Sequence, residues 1–331
     1  MRAFDGRSNA ITLLEELPNG HIIAGTDLGN LQIWDPDTRS LQMDLKGHTE
    51  SINDLAILPD GRIVTAAGSM YVHQDQTLRI WDAKEGTLQH ILEGHRNIVH
   101  AVEILPDGRI VSASQDSTLR VWDPTNGKTI KILEGHTRGI FALTTMPNGL
   151  VCSAAQDNAV KVWDVDKGKN IWTFNDHTDM VYTISKVSEE CVISTSADRN
   201  LQIWNVKSGT LLHSLKGHTG RVLDVALLPN NKVVSTSQDR TLRVWDINTG
   251  KHLYTLEGHS GYVLSVDIIS DNFIVSVSDD KTLRLWNLQE RKVIGTFTGE
   301  FSMKRCLVTH DKKIIVAGDD IGKLHFFSFE I

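Results

Sequence analysis

The chain has 331 residues, 40% of them hydrophobic and 23% charged, and its 34 Lys+Arg against 41 Asp+Glu leave a net charge of −7. That acidic balance argues against a nucleic-acid backbone or an anionic membrane surface as the main partner, because both need a basic field. Cys152, Cys191 and Cys306 are odd in number and far apart, which excludes a disulfide scaffold or a CxxC metal site and suits a reducing, cytoplasmic compartment. Met1–Gly6 carries Arg2 and Asp5 with no apolar run behind it, so no signal peptide is expected. No stretch reaches the roughly 20 apolar residues of a helical membrane span.

Tryptophan sets the organisation. Trp81, Trp122, Trp163, Trp204, Trp245 and Trp286 are each 41 residues apart, and one further step reaches Phe327. Trp34 lies 47 residues before Trp81, one period plus a six-residue insertion, and only Trp172 falls outside the series. A fixed period of this length signals a repeat architecture. Each unit carries the same four runs, and the one from Gly94 shows them clearly. After Gly94-His95, an alternating apolar stretch covers Ile98 to Leu105 and ends at the turn Pro106-Asp107-Gly108. A second run, Arg109 to Ser114, stops at Asp116; a third, Thr118 to Trp122, stops at Asp123. Asn126-Gly127 then turns the chain into a fourth run, Thr129 to Leu133, before the next Gly-His. Four short alternating runs separated by turn residues predict four antiparallel strands, and no segment has sustained helical periodicity.

Gly-His recurs at 47–48, 94–95, 135–136, 217–218 and 258–259, with Asp176-His177 as a variant. Trp-Asp recurs at 34–35, 81–82, 122–123, 163–164 and 245–246, with Trp-Asn at 204–205 and 286–287. On these residues the whole chain resembles a WD40 β-propeller, in which each four-stranded sheet is a blade and the blades close into a ring. Counting the Trp and Phe positions gives an all-β, eight-bladed propeller, a single domain over residues 1–331; a seven-bladed ring with an irregular extra unit is the alternative. The last unit lacks a fourth run, and residues 1–5 precede Gly6-Arg7 where a fourth strand belongs. The N-terminal strand is therefore expected to complete the last blade.

The resemblance also implies a buried hydrogen-bonded tetrad in each of six blades. The sets are His48/Thr65/Asp75/Trp81, His95/Ser112/Asp116/Trp122, His136/Ser153/Asp157/Trp163, His177/Ser194/Asp198/Trp204, His218/Ser235/Asp239/Trp245 and His259/Ser276/Asp280/Trp286. A His-Ser-Asp set invites comparison with a hydrolase triad, but six copies at one spacing are frame and not six active sites. No catalytic residue, metal site or cofactor is expected. Units 1 and 8 depart from the pattern, with Arg7 and Glu300 in the His place and Ala24 and Ala317 in the Ser place. This sector reads as drift in terminal repeats or as a distinct contact. Gly127-Lys128-Thr129 and Gly318 to Leu324 mimic the end of a phosphate loop but lack its spacing and its strand-to-helix context.

Function then belongs to positions that vary between units. The resemblance places the partner surface on the face of the Gly-His loops and Asp turns, and the third and fifth residues after each Gly-His are carried over as candidates. They give Ile98, His100, Phe141, Met180, Tyr182, Arg221, Leu223, Tyr262, Leu264, Met303 and Arg305 as protein-binding residues, with only small or polar residues in units 1 and 2. The residues before the turn Asp add Gln74, Gln115, Gln156, Gln238 and Asp279. Aromatics, Met and Arg are the usual material of interface hot spots, so a partner is expected over units 4 to 8. The insertion Gly68–His73 lies on the same face and adds Tyr71 and His73 as a recognition loop. The expected function is a non-catalytic scaffold, a monomeric propeller binding a protein or peptide. The alternatives are a sensor module of an NTPase-type signalling system, because the last blade resembles C-terminal WD40 arrays of bacterial NACHT or NB-ARC-like proteins, and a propeller enzyme.

Overall fold

The 41-residue unit folds as it reads. In the computed structural model, which describes residues 9–70 and 74–328, every strand belongs to an antiparallel meander whose strands pair in chain order. There are seven four-stranded sheets and, among the described residues, one of three strands: Met303–Val308, Ile314–Asp319 and Leu324–Ser328. Eight sheets settle the count in favour of eight blades over seven. Met1–Asp5, expected as the closing strand, and Arg7, Tyr71 and His73 lie outside the described residues.

The innermost strands are Ile11–Glu16, Ile52–Ile57, Val99–Ile104, Ile140–Thr145, Val181–Lys186, Val222–Leu228, Val263–Ser270 and Met303–Val308. Each packs against the next, and Met303–Val308 packs against Ile11–Glu16, which closes the ring. Burial grades outward. The second strand of a blade, such as Ile110–Ser114, is buried along its whole length, whereas the outermost, such as Lys169–Phe174, is buried only at its end. That gradient explains the composition. A second strand has paired neighbours on both edges and blades on both faces, so it is written in Ile, Val, Ala and Ser.

The core lies between blades. Trp122 of blade 3 packs with Leu58, Val64, Leu78 and Ile80 of blade 2, and Trp163 of blade 4 likewise packs with Val111, Val121 and Leu133 of blade 3. A buried tryptophan removes about 150–250 Å² from water, roughly 4–6 kcal/mol at about 25 cal/mol per Å². The indoles at the 41-residue period are therefore what fastens one blade to its neighbour.

Candidate binding face

Six blades carry a complete polar tetrad at the loop end. In blade 6, His218 Nδ1 lies 2.7 Å from Asp239 Oδ2, His218 Nε2 lies 2.8 Å from Ser235 Oγ, and Trp245 Nε1–H donates to Ser235 Oγ at 2.9 Å. For a neutral imidazole one proton arrangement satisfies all three bonds: the ring donates from Nδ1 to the carboxylate, the serine hydroxyl donates to Nε2, and the indole donates to the serine oxygen. Burial lowers the His218 pKa and outweighs the raising effect of Asp239, so the ring is neutral. Burial alone would raise the Asp239 pKa, but hydrogen bonds from His218, Thr241 and the Thr219 N–H hold it well below the usual carboxylate range.

The same geometry recurs in the other blades. The Oγ atoms of Ser112, Ser153, Ser194 and Ser276 meet the Nε2 of His95, His136, His177 and His259 in turn, every time at 2.8 Å. Each of these serines also accepts from an indole N–H at 2.8 Å, from Trp122, Trp163, Trp204 and Trp286 respectively. The Nδ1 atoms of those four histidines meet Asp116, Asp157, Asp198 and Asp280 at 2.8–2.9 Å. In blade 2 Thr65 takes the serine role, 2.7 Å from His48 Nε2 and 2.8 Å from Trp81 Nε1, and Asp75 lies 2.8 Å from His48 Nδ1. Thr65, Ser112, Ser153, Ser194, Ser235 and Ser276 all have no exposed surface. They lie beneath the loop face, where no partner can touch them, and belong to the frame and not to the binding set. The tetrads fix the Gly-His loop to the Asp turn and leave other side chains free to face solvent.

Blades 1 and 8 fix the same corner differently. In blade 8, Asp319 accepts from the Ile321 and Lys323 N–H groups and meets His325 Nε2 at 3.1 Å. In blade 1 the Trp34 indole turns to Gln32 Oε1 at 3.3 Å.

The side chains that face the channel mouth are selected by a β-bulge. In all eight blades the pairing of the first and second strands slips by one residue at the loop end. The extra residues are Thr12, Asn53, His100, Phe141, Tyr182, Leu223, Leu264 and Lys304. A bulged residue leaves the in-out alternation of its strand, so its side chain is re-aimed. Here it points around the mouth of the ring. Blades 3 to 7 contribute His100, Phe141, Tyr182, Leu223 and Leu264, and blades 8, 1 and 2 contribute the polar Lys304, Thr12 and Asn53. Because the residues hold one position in consecutive blades, they touch in sequence. His100 and Phe141 meet edge-on at 5.2 Å, Phe141 and Tyr182 lie 5.7 Å apart, and the Arg221 guanidinium sits 5.9 Å from the Tyr182 ring. On the polar side, Asn53 donates to the Val99 carbonyl of the next blade and Thr12 to the Ile52 carbonyl, so those residues serve the frame.

Two adjoining cavities open on this face and share Asn53 and Tyr182. One, of about 570 Å³, brings together Tyr182, Arg221, Leu223, Leu264 and Arg305, with Gln238, Asp279 and Lys304. The other, of about 480 Å³, is lined by Ile98, His100, Phe141, Met180 and Tyr182 together with Ser69 and Met70. Ile98 is nearly buried against Gly68, whereas Tyr262 is exposed on the same face outside both cavities. Counting from the Gly-His position fails in blade 8. Its loop is one residue shorter, so Met303 is the first strand residue and is fully buried, and Lys304 takes the bulge. Met303 therefore leaves the surface set. Arg305 sits one place further in and donates from Nε to the Thr12 carbonyl at 2.8 Å. Lys304, which pairs with Asp279 at 3.1 Å, is a channel-mouth residue that simple counting misses.

Below the mouth the channel is acidic. Asp54 accepts from the Val102 and Leu55 N–H groups, yet burial pushes its pKa up to about 7. Burial, and then the charge of Asp54, push Glu103 up to about 8. Burial also raises Glu15, Asp224 and Asp267.

A family model described as WD domain, G-beta repeat, matches residues 39–82, 86–123, 127–164, 168–205 and 209–246, more than half of the chain. The chain belongs to the WD40-repeat family. A model described as TEP-1 C-terminal beta-propeller matches residues 259–329. Among solved structures, the crystal structure of the computationally designed Ika8 protein is similar with a TM-score of 0.85 at 27% identity, covering 98% of this chain and 97% of that one. No curated protein matches the sequence. The WD40 repeat is out of phase with the blade. The segment 86–123 begins before the outermost strand of blade 2, Thr87–Leu92, and ends after the third strand of blade 3, Thr118–Trp122. Each repeat thus ties two blades together covalently.

Proposed function

We propose that this WD40 propeller is a non-catalytic interaction scaffold that receives a peptide or a partner domain at the channel mouth of its loop face. The observation that carries the reading is the run of bulged residues in blades 3 to 7. A bulge directs five consecutive aromatic or apolar side chains to a rim where frame residues would be polar, and two cavities open beside them. The serines of the tetrads do not suit a nucleophile's task, since each Oγ is buried and engaged by both imidazole and indole. In this reading the protein works as a monomer in the cytoplasm without a cofactor, and its partner is protein and not nucleic acid or membrane, in keeping with the net charge of −7.

Affinity capture from native lysate tests it. Tyr182→Ala and Arg221→Glu should each remove a protein retained by the wild type while leaving the melting temperature unchanged. A captured set that is the same for all three forms would overturn the placement. A second reading, a regulatory module of an NTPase-type signalling system, is favoured by the resemblance of Phe297–Leu307 and Ile315–Phe327 to closing blades of such arrays. Its mark would be an NTPase among the proteins lost on mutation.

A further inference from the structure

The turn after the second strand of each blade supplies an observation that the frame does not explain. Its tip residue is held in the left-handed region in seven blades: Gly29 at φ 83°, Ser117 at 71°, Asn158 at 68°, Arg199 at 73°, Arg240 at 72°, Lys281 at 68° and Gly322 at 87°. Glycine and asparagine adopt this conformation readily, and longer side chains resist it. Blades 1, 4 and 8 use the residues the turn favours. Blades 5, 6 and 7 instead use Arg, Arg and Lys, whose shared property is positive charge. All three are exposed. Each follows a tetrad aspartate, but Asp198, Asp239 and Asp280 turn inward onto His177, His218 and His259 and are almost entirely buried. Among the described residues, neither these three cations nor Arg221 of the same sector forms an ion pair. A net-acidic chain thus presents unpaired cations at the turn tips of consecutive blades, on the face where Arg221 lines a cavity with Tyr182 and Leu264, and where the one acid of that lining, Asp279, is paired with Lys304.

We infer that the loop face of blades 5 to 8 receives an acidic protein segment. Its carboxylates lie across Arg199, Arg240, Lys281 and Arg221, and one apolar or aromatic side chain enters the cavity at Tyr182 and Leu264. The inference rests on the scaffold reading and gives its partner a chemistry. Charge complementarity selects the segment and its approach, and the apolar anchor supplies the hold.

The test is selection of peptides of about 12 residues from a random display library on the full chain. It is run in parallel on the triple variant Arg199→Asn/Arg240→Asn/Lys281→Asn and on Tyr182→Ala. Asparagine removes the charges and suits the left-handed turn, so the triple variant should melt at the same temperature as wild type or higher. Wild type should enrich peptides with several Asp or Glu around one apolar residue. A synthetic peptide of that type should bind the triple variant about tenfold more weakly and lose affinity as salt rises. Enriched peptides with no acidic excess, or with equal affinity for wild type and triple variant, overturn the acidic-partner inference. If Tyr182→Ala still abolishes their binding, the scaffold reading stands. Enrichment of nothing by wild type overturns both, and tighter binding of an oligothymidine than of the best peptide overturns the inference in favour of nucleic acid.

Discussion

Ser235→Ala in blade 6 tests whether the tetrads are held by hydrogen bonding or merely packed. Ser235 is fully buried and its Oγ serves two partners, His218 Nε2 at 2.8 Å and the Trp245 indole N–H at 2.9 Å. Removing the hydroxyl leaves a buried acceptor and a buried donor unpaired, each costing about 1–3 kcal/mol, so a loss of about 2–4 kcal/mol is expected. For a chain of this length, with an unfolding entropy of about 0.7 kcal/mol per degree, this lowers the melting temperature by about 3–6 °C. In a Trp245→Phe background the indole N–H is already absent, and the same change should cost about 1–2 kcal/mol less. Blade 8 carries a natural version of that double change, Ala317 with Phe327 in the tryptophan place. Denaturant melts of the four proteins in the cycle give the coupling directly. A single-variant cost below about 1 kcal/mol, or an equal cost in both backgrounds, would refute the hydrogen-bond account.

Two further outcomes follow from the same structure. In the channel, Asp54 and Glu103 have pKa values raised to about 7 and about 8, so the folded state holds their protons more tightly than the unfolded chain. Their contribution to stability is complete below the ordinary carboxylate range and is lost as pH rises through about 7 to 8. Glu103→Gln should reduce the drop in melting temperature between pH 5 and 9 by the equivalent of about 1–3 kcal/mol; an unchanged slope in a pH series of thermal melts would count against a desolvated carboxyl. At the outer rim, Gly209 has φ 71° and lies under Trp172, where a Cβ would come within 2.5–2.6 Å of three ring atoms. Gly209→Ala should cost about 1–3 kcal/mol by chemical denaturation, and Trp172→Ala should relieve part of that cost, since only the left-handed backbone penalty then remains.

Trp172 shows where a repeat stops being legible in sequence. It stands outside the tryptophan period, yet it belongs to a second series at 41 residues. Met43 and then His90, Lys131, Trp172 and His213 each sit over the turn glycine of the following blade: Gly86, Gly127, Gly168, Gly209 and Gly250. Tyr254 continues it by lying 4.7 Å from the guanidinium of Arg291, which stands where blades 2 to 6 have glycine. The position is constant, but what it demands is only a side chain broad enough to cover a turn, so residue type varies and the eye misses the period. The tetrads were readable for the opposite reason. Two buried partners require a hydroxyl at one point, so only Ser or Thr fits, as Ser112, Ser153, Ser194, Ser235, Ser276 and Thr65 show.

The channel-mouth residues fall between these cases. Their position was countable from Gly-His wherever the loop kept its length, and the count slipped at Met303, where one missing residue moved the bulge to Lys304. That the counted position is a bulge at all was not legible, because a bulge is a relation between two strands and leaves no mark of its own on either. The acids of the channel were hidden similarly, since Asp54 and Glu103 read as polar members of alternating strands until ring closure half-buries them. Repetition therefore exposes whatever each blade must do for itself. What the blades do jointly, around the axis and across the rim, depends on closure, and the channel-mouth residues belong to that second set.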